Sequence, residues 1–254
     1  MYFLPLLCFI AISGPAQDTV QIAAQNIYSK VIREGTQRYL VYYKSDPDAP
    51  PSKMQLWTRN IERAVGPTDL PAFKIGMKWE YQDSLIHTVT TLCELSTMQP
   101  LSHEFWWKGT PVVNVDVQTK QVRINKFLSV ADHDSSEKRD AIWSVLKTFV
   151  TNYVFSTHLE QEIFPLLPYK TGVTFIIPYS DPETGVILEK AFFTVTGEEE
   201  LSGHDGQKIG CWIIRKTRVG NPERYWVSKK TGEVLRSEQH LKGTVYKYKL
   251  QLGF

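Results

Sequence analysis

The sequence has 254 residues, a formal net charge of +2, three cysteines and 42% apolar residues. Balanced charge and 12% aromatics exclude a disordered chain, and so few cysteines exclude a disulfide scaffold. No run of 18 apolar residues is present to cross a bilayer as a helix, and the small net charge gives no general attraction to nucleic acid.

Residues 1–16 carry no charged side chain. Their apolar run, 2–12, suits the hydrophobic region of a secretory leader, and Gly14 and Ala16 supply the small residues a signal peptidase requires. Cleavage after Ala16 leaves 238 of the 254 residues, with two cysteines, Cys93 and Cys211. An exported compartment permits a disulfide between them; both also stand in apolar strand contexts, where free buried thiols are ordinary.

Residues 17–34 suggest a short helix with Ile22, Ile27 and Val31 as its apolar positions. Strand patterns follow at 38–44, 54–64, 77–81, 85–95 and 102–108, and a hairpin at 112–128. The period then changes. Ile142, Val145, Leu146, Phe149, Val150, Tyr153 and Val154 recur at helical spacing. Asp134 and Glu137 offer a capping box, and Pro165 and Pro168 stop the helix. The expectation is a helix over about 135–160, about 39 Å long at 1.5 Å per residue.

Six further strands are expected at 172–179, 186–196, 208–217, 223–228, 234–241 and 244–252, separated by turn chemistry at 180–185, 203–206, 219–222 and 229–233. Tight turns between consecutive strands imply antiparallel pairing. In the last strand Tyr246, Tyr248, Leu250 and Leu252 alternate with Lys247, Lys249 and Gln251, so one face is buried and the other wet. In 208–217 both faces are apolar: Trp212 and Ile214 on one, Cys211 and Ile213 on the other. The fold expected for 17–254 is mainly β (α+β), a single large curved antiparallel sheet or half-open barrel with one long helix on its concave face.

Three segments carry a family resemblance: Leu166–Leu167–Pro168 before a Gly-initiated strand, Val195–Thr196–Gly197–Glu198–Glu199, and the run from Trp226 to Arg236. Over about 80–245 the chain resembles a bacterial cell-envelope family of unknown function that is itself similar to the LolA/LolB lipoprotein carriers. The resemblance does not reach residues 17–80. It implies a half-open barrel with a helix in its hollow, sheltering acyl chains, and it brings no catalytic residues.

No nucleophile elbow, phosphate loop, dinucleotide fingerprint or zinc-protease motif is present. His158 and Glu162 stand four apart, but two ligands do not make a metal site. His103 and Glu104 fall on opposite faces of a strand. No catalytic residue, metal or cofactor is therefore expected. Val145, Phe149 and Tyr153 on the helix, with Trp212 and Trp226 on the sheet, are candidates for an apolar pocket wall; core packing is the plainer account of each. Charge is uneven, with eleven Lys/Arg against three acids over 208–249 and seven acids against one Lys over 181–206. The basic stretch suits a solvated sheet face or anionic headgroups.

These readings converge on an exported, non-enzymatic protein, periplasmic or outer-membrane-associated. Its expected partners are a hydrophobic or lipid-like ligand such as a lipoprotein acyl chain, or an envelope protein, with peripheral membrane contact and no nucleic acid. The rivals are an integral outer-membrane β-barrel, prompted by the terminal Phe254, and a periplasmic hydrolase whose residues only the fold could bring together.

Overall fold

The computed structural model describes residues 18–27, 32–129, 137–217, 222–241 and 244–254. The expected leader at 1–16, Val31 and the expected capping residue Asp134 lie outside them. The first half gives nine strands: β1 (Thr19–Gln21), β2 (Gly35–Lys44), β3 (Ser52–Val65), β4 (Pro71–Tyr81), β5 (Ser84–Glu94), β6 (Pro100–Trp107), β7 (Val113–Asp116), β8 (Gln121–Ile124) and β9 (Phe127–Ser129). Helix α1 (Glu137–Thr151) follows, then β10 (Phe155–Ser156), a 3-10 turn at Thr157–Leu159 and the short α2 (Glu160–Ile163). The second half is β11 (Thr174–Asp181), β12 (Val186–Ser202), β13 (Lys208–Thr217), β14 (Glu223–Ser228), β15 (Val234–Leu241) and β16 (Val245–Gln251).

All of these strands form one sheet in the order β1-β11-β12-β13-β14-β15-β16-β2-β3-β4-β5-β6-β7-β8-β9, with β10 also paired to β11. The expected antiparallel sheet is therefore present, and its two meanders join where β16 pairs with β2. Local chemistry sets the turns. Gln82 and Asp83 both take positive φ (49° and 58°), the conformation a two-residue hairpin between β4 and β5 requires. Two pairings are parallel rather than antiparallel: β1 with β11 and β10 with β11. Strand β1 stands in the segment where a short helix was expected, because Thr19–Gln21 finds an edge to join; among the described residues up to 27 a 3-10 turn, Ala24–Asn26, follows it.

The described edge strands β1 and β9 do not pair with each other. The sheet curls without closing, whereas a strand-built membrane span needs every edge satisfied. Its hollow is filled by its own chain. Phe155, Leu159, Ile163, Phe164, Leu166 and Leu167 are buried against Ile61, Phe73 and Ile75 on one wall and Phe175, Phe193, Ile214 and Val227 on the other.

The helix is shorter than its periodicity suggests. It ends at Thr151, giving 15 residues and about 22 Å at 1.5 Å per residue. The reason is local. The hydroxyls of Thr148 and Thr151 donate to the carbonyls of Ser144 and Lys147, and Asn152 Nδ2 donates to the Thr148 carbonyl, bonds that compete with the helical ladder. Beyond it, Phe155 and Ser156 pair with Tyr179 and Ser180 of β11. Ile142, Val145, Leu146 and Phe149 are buried against Val89, Phe105, Val113, Val115 and Val122, so α1 covers β5–β8, while Val150 is exposed.

The disulfide permitted by the sequence is not formed: both thiols are free and buried. Cys93 faces the filled hollow beside Met98. Cys211 packs with Ile213, Trp226 and Leu235 in a separate cluster. Since Ile214 and Trp212 face the main core, the sheet stands between the two sulfurs.

Candidate metal centre

Strand alternation places His87, Val89, Thr91 and Cys93 of β5, and His103 and Phe105 of β6, on the inner face, where each is buried. His87 is directly opposite Trp107, and Thr91 opposite His103. His87 lies between two indoles, tilted against Trp79 at 4.3 Å and stacked on Trp107 at 3.9 Å. His158 arrives from the 3-10 turn, whose first amides are capped when Ser156 Oγ accepts from His158 N at 3.3 Å.

The fourth member, Glu183, sits at the tip of the β11–β12 hairpin. Asp181 shapes that tip, one oxygen accepting from Glu183 N at 2.9 Å and the other from the Thr184 hydroxyl at 2.7 Å. Gly185, with φ 72°, lets the turn approach Ala141 of α1, where an added Cβ would lie 3.3 Å from the alanine side chain. The hairpin tip thus reaches from one end of the curled sheet to the other.

There, the Glu183 side chain is 6% exposed and meets three imidazoles. Its Oε1 is 2.6 Å from His158 Nε2 and 4.0 Å from His103 Nε2; its Oε2 is 3.5 Å from His87 Nε2 and accepts from Trp107 Nε1 at 2.7 Å. The ligating atoms of His87, His158 and Glu183 all fall within 4.8 Å of one another.

The electrostatics divide the four groups into two kinds. For His158, burial disfavours the charge, but the hydrogen bond and the negative charge of Glu183 outweigh it and raise the pKa. Burial likewise works against the Glu183 carboxylate, yet the His158 hydrogen bond and the neighbouring imidazoles hold its pKa at about 2. These two form an ion pair. His103 is lowered to about 4 by burial and by the charge of His158, and burial is also the main cause that lowers His87; both are neutral at pH 7. The His87 Nδ1–H donates to the Trp106 carbonyl at 2.8 Å, which leaves Nε2 with a free lone pair. His103 Nδ1 bonds the Thr91 hydroxyl at 2.9 Å. Among the described residues, neither buried Nε2 atom has a hydrogen-bond partner.

This donor set suits a borderline divalent ion. Zinc takes imidazole nitrogen and carboxylate oxygen at about 2.0–2.2 Å, so tetrahedral ligands lie about 3.3 Å apart. The 3.5 Å separation of His87 and Glu183 already matches. The shorter His158–Glu183 contact encloses a proton that a metal would displace. His87 Nδ1 on a carbonyl and Glu183 on an indole N–H are the kind of outer partners that orient ligands.

The sequence reading did not assemble this centre. It set His158 beside Glu162, whereas Glu162 instead holds Arg59 and His158 turns to Glu183. It placed His103 and Glu104 on opposite faces, as found: His103 is buried and Glu104 exposed. The turn signal at 180–185 located the hairpin tip but not the reach of Glu183. The proposed pocket-wall residues are not brought together. Val145 and Phe149 lie in the cluster beneath α1. Tyr153 lies past the helix end, its hydroxyl donating to the Thr97 carbonyl. Trp212 stacks on Tyr169, and Trp226 lies on the other side of the sheet with Cys211.

The profile of the family DUF3108, described as a protein of unknown function, matches residues 38–251. No curated protein matches the chain. Among solved structures, a β-barrel-like protein of the DUF1849 family from Brucella abortus is similar at 7% identity over 86% of this chain and 96% of that one, with a TM-score of 0.42. The hypothetical lipoprotein YmcC from Escherichia coli is similar at 14% identity over 85% and 86%, with a TM-score of 0.29. A chain of the Pseudomonas aeruginosa MucA/MucB complex is similar at 8% identity over 87% of this chain and 51% of that one, with a TM-score of 0.32.

Proposed function

This chain belongs to the DUF3108 family of proteins of unknown function, and we propose that it is a non-catalytic binding protein of the cell envelope whose ligand is a divalent transition-metal ion, zinc above all, held by His87, His158 and Glu183 with His103 as the fourth donor. One observation carries the reading: two neutral, fully buried imidazoles direct unpartnered Nε2 atoms at a carboxylate that is itself fixed from behind. A buried ion pair would account for His158 and Glu183 alone. It would not account for His87 and His103, whose Nε2 atoms are buried without a hydrogen-bond partner among the described residues, at a cost in free energy.

Four protein donors in a closed pocket describe a structural site, not a catalytic one, which keeps a position open. The ligand side chains are 0–12% exposed, so a hydrolase reading lacks room for substrate at this cluster. Export rests on the uncharged leader at 1–16. A lipid-like ligand under the helix finds little support, since Val145 and Phe149 are wholly buried in apolar contact.

The test is metal content and affinity. Metal-free protein titrated with Co²⁺ should take one equivalent and develop the visible absorption of a four-coordinate ion, and Zn²⁺ should displace it. Glu183→Gln and His87→Gln should each weaken binding at least tenfold. Saturation that never approaches one equivalent, or variants that bind as the parent does, would overturn the proposal.

A further inference from the structure

Strand β16 turns its lysines inward. Lys247 and Lys249, two residues apart and so on one face, are paired in register with Tyr43 and Val41 of β2. Both ammonium groups lie over the ring of Trp57, at 4.6 and 5.1 Å from its centroid, and Lys249 also lies 4.2 Å from the centre of the Tyr39 ring. The ring of Trp57 is in turn stacked on Trp79 at 3.9 Å. Tyr39 is buried, and Trp57 and both lysines are half-buried.

No carboxylate of a described residue lies within ion-pair distance of either ammonium. Glu162 is held by Arg59, Glu160 by Lys216 and the Tyr225 hydroxyl, and buried Glu223 acts on both lysines from farther away. No ion pair or hydrogen bond joins Lys247 or Lys249 to a described residue, and aromatic faces are their only cation contacts. Lysines withdrawn from water are normally paired. Two together on one indole, beside an Arg59 whose charge Glu162 already answers, leave both ammonium groups without a direct acceptor among the described residues.

The geometry points to a second binding site, for an oxyanion held between Lys247 and Lys249 against Trp57 and Tyr39. A phosphate group, free or as a lipid headgroup, has the charge and the several acceptor oxygens to satisfy both ammoniums at once. This site is independent of the metal centre and shares no residue with it.

Two probes separate the two sources: inorganic phosphate and dihexanoyl phosphatidate below its micelle concentration. Each is titrated calorimetrically into full-length, metal-free protein and into Lys247→Met, Lys249→Met and Glu183→Gln. Either probe should bind the parent and Glu183→Gln alike and lose at least tenfold affinity in each lysine variant. Tenfold tighter binding of the phosphatidate assigns a headgroup; equal or weaker binding assigns free phosphate. Burial and the charges of Arg59 and Lys247 lower Lys249 to about 7, so binding at pH 8 should take up a proton, seen as a dependence of the heat on buffer ionisation. The titratable groups facing it are Tyr39, Arg59, Lys247, Glu162 and Glu223. The proton uptake should vanish in Lys249→Met. No binding of either probe to the parent, or unchanged binding by folded lysine variants, would overturn the site.

Discussion

Replacing Lys249 by Met should stabilise the protein at neutral pH, by an amount that fades as pH rises. Burial is the first cause of its depressed pKa, followed by the positive charges of Arg59 and Lys247; together they bring it from 10.5 to about 7. At 1.36 kcal/mol per pKa unit, that difference amounts to about 5 kcal/mol of folding free energy withheld at acidic pH. Lys249 is only half-buried, so solvent screening reduces this figure, and a gain of about 1–4 kcal/mol, the range found when buried ion pairs are replaced by apolar side chains, is expected at pH 6. The unfolded chain keeps this lysine protonated to about pH 10.4, whereas the folded protein releases the proton near 7. Between those values the unfolded state binds more protons, so parental stability climbs with pH. The Met variant lacks this contribution, and the two proteins should converge by about pH 10. Urea unfolding followed by circular dichroism at pH 6, 8 and 9.5 measures the gap. A variant less stable than the parent at pH 6, or a gap that does not narrow with pH, would refute the reasoning.

Three further outcomes are expected. Zinc at one hundred times its Kd should raise unfolding free energy by about 2.7 kcal/mol, read as a higher Tm that chelator reverses and that Glu183→Gln abolishes. Gly232→Ala should cost about 2–4 kcal/mol in chemical unfolding, because Gly232 has φ 72° and an added Cβ would lie 2.7 Å from the Pro165 backbone. Glu162→Gln should cost about 3–5 kcal/mol, since it leaves the buried Arg59 guanidinium without its carboxylate; a loss below 1 kcal/mol would show that Gln37 and Gln161 satisfy Arg59 unaided.

Alternation and turn chemistry are local, and they made most of the sheet legible. The strands from 172 to 252 stand close to where period-2 patterning and the separators at 180–185, 203–206 and 229–233 put them. Which face points inward is not local, and there the pattern misleads. In β16 the lysines enter the hollow, while Tyr248 stacks on Tyr42 and Tyr246 on His240. In β3, Met54 and Leu56 are exposed while Arg59 is buried. Where part of an otherwise apolar hollow takes up charged side chains, the usual meaning of an apolar stripe is reversed. The helix was overextended because its spacing continues into Tyr153 and Val154, which are held by tertiary partners rather than by helical bonds. The candidate metal centre was illegible for a related reason. Its four residues span positions 87 to 183, each was plain strand, turn or helix end in isolation, and only the curl of the sheet brings them together.

The unclosed sheet has a mechanical consequence. Within it each strand is tied to the next by backbone ladders. Across the gap, where the β11–β12 tip meets β5 and β6, the ties are side chains: Glu183 with three imidazoles and the Trp107 indole. Parting the molecule there ruptures no ladder among the described strands, only side-chain contacts: the apolar fill of the hollow, and a clasp whose strength follows whatever charge or ion the imidazoles carry. The clasp that holds the seam is therefore chemically addressable, while the walls on either side are not.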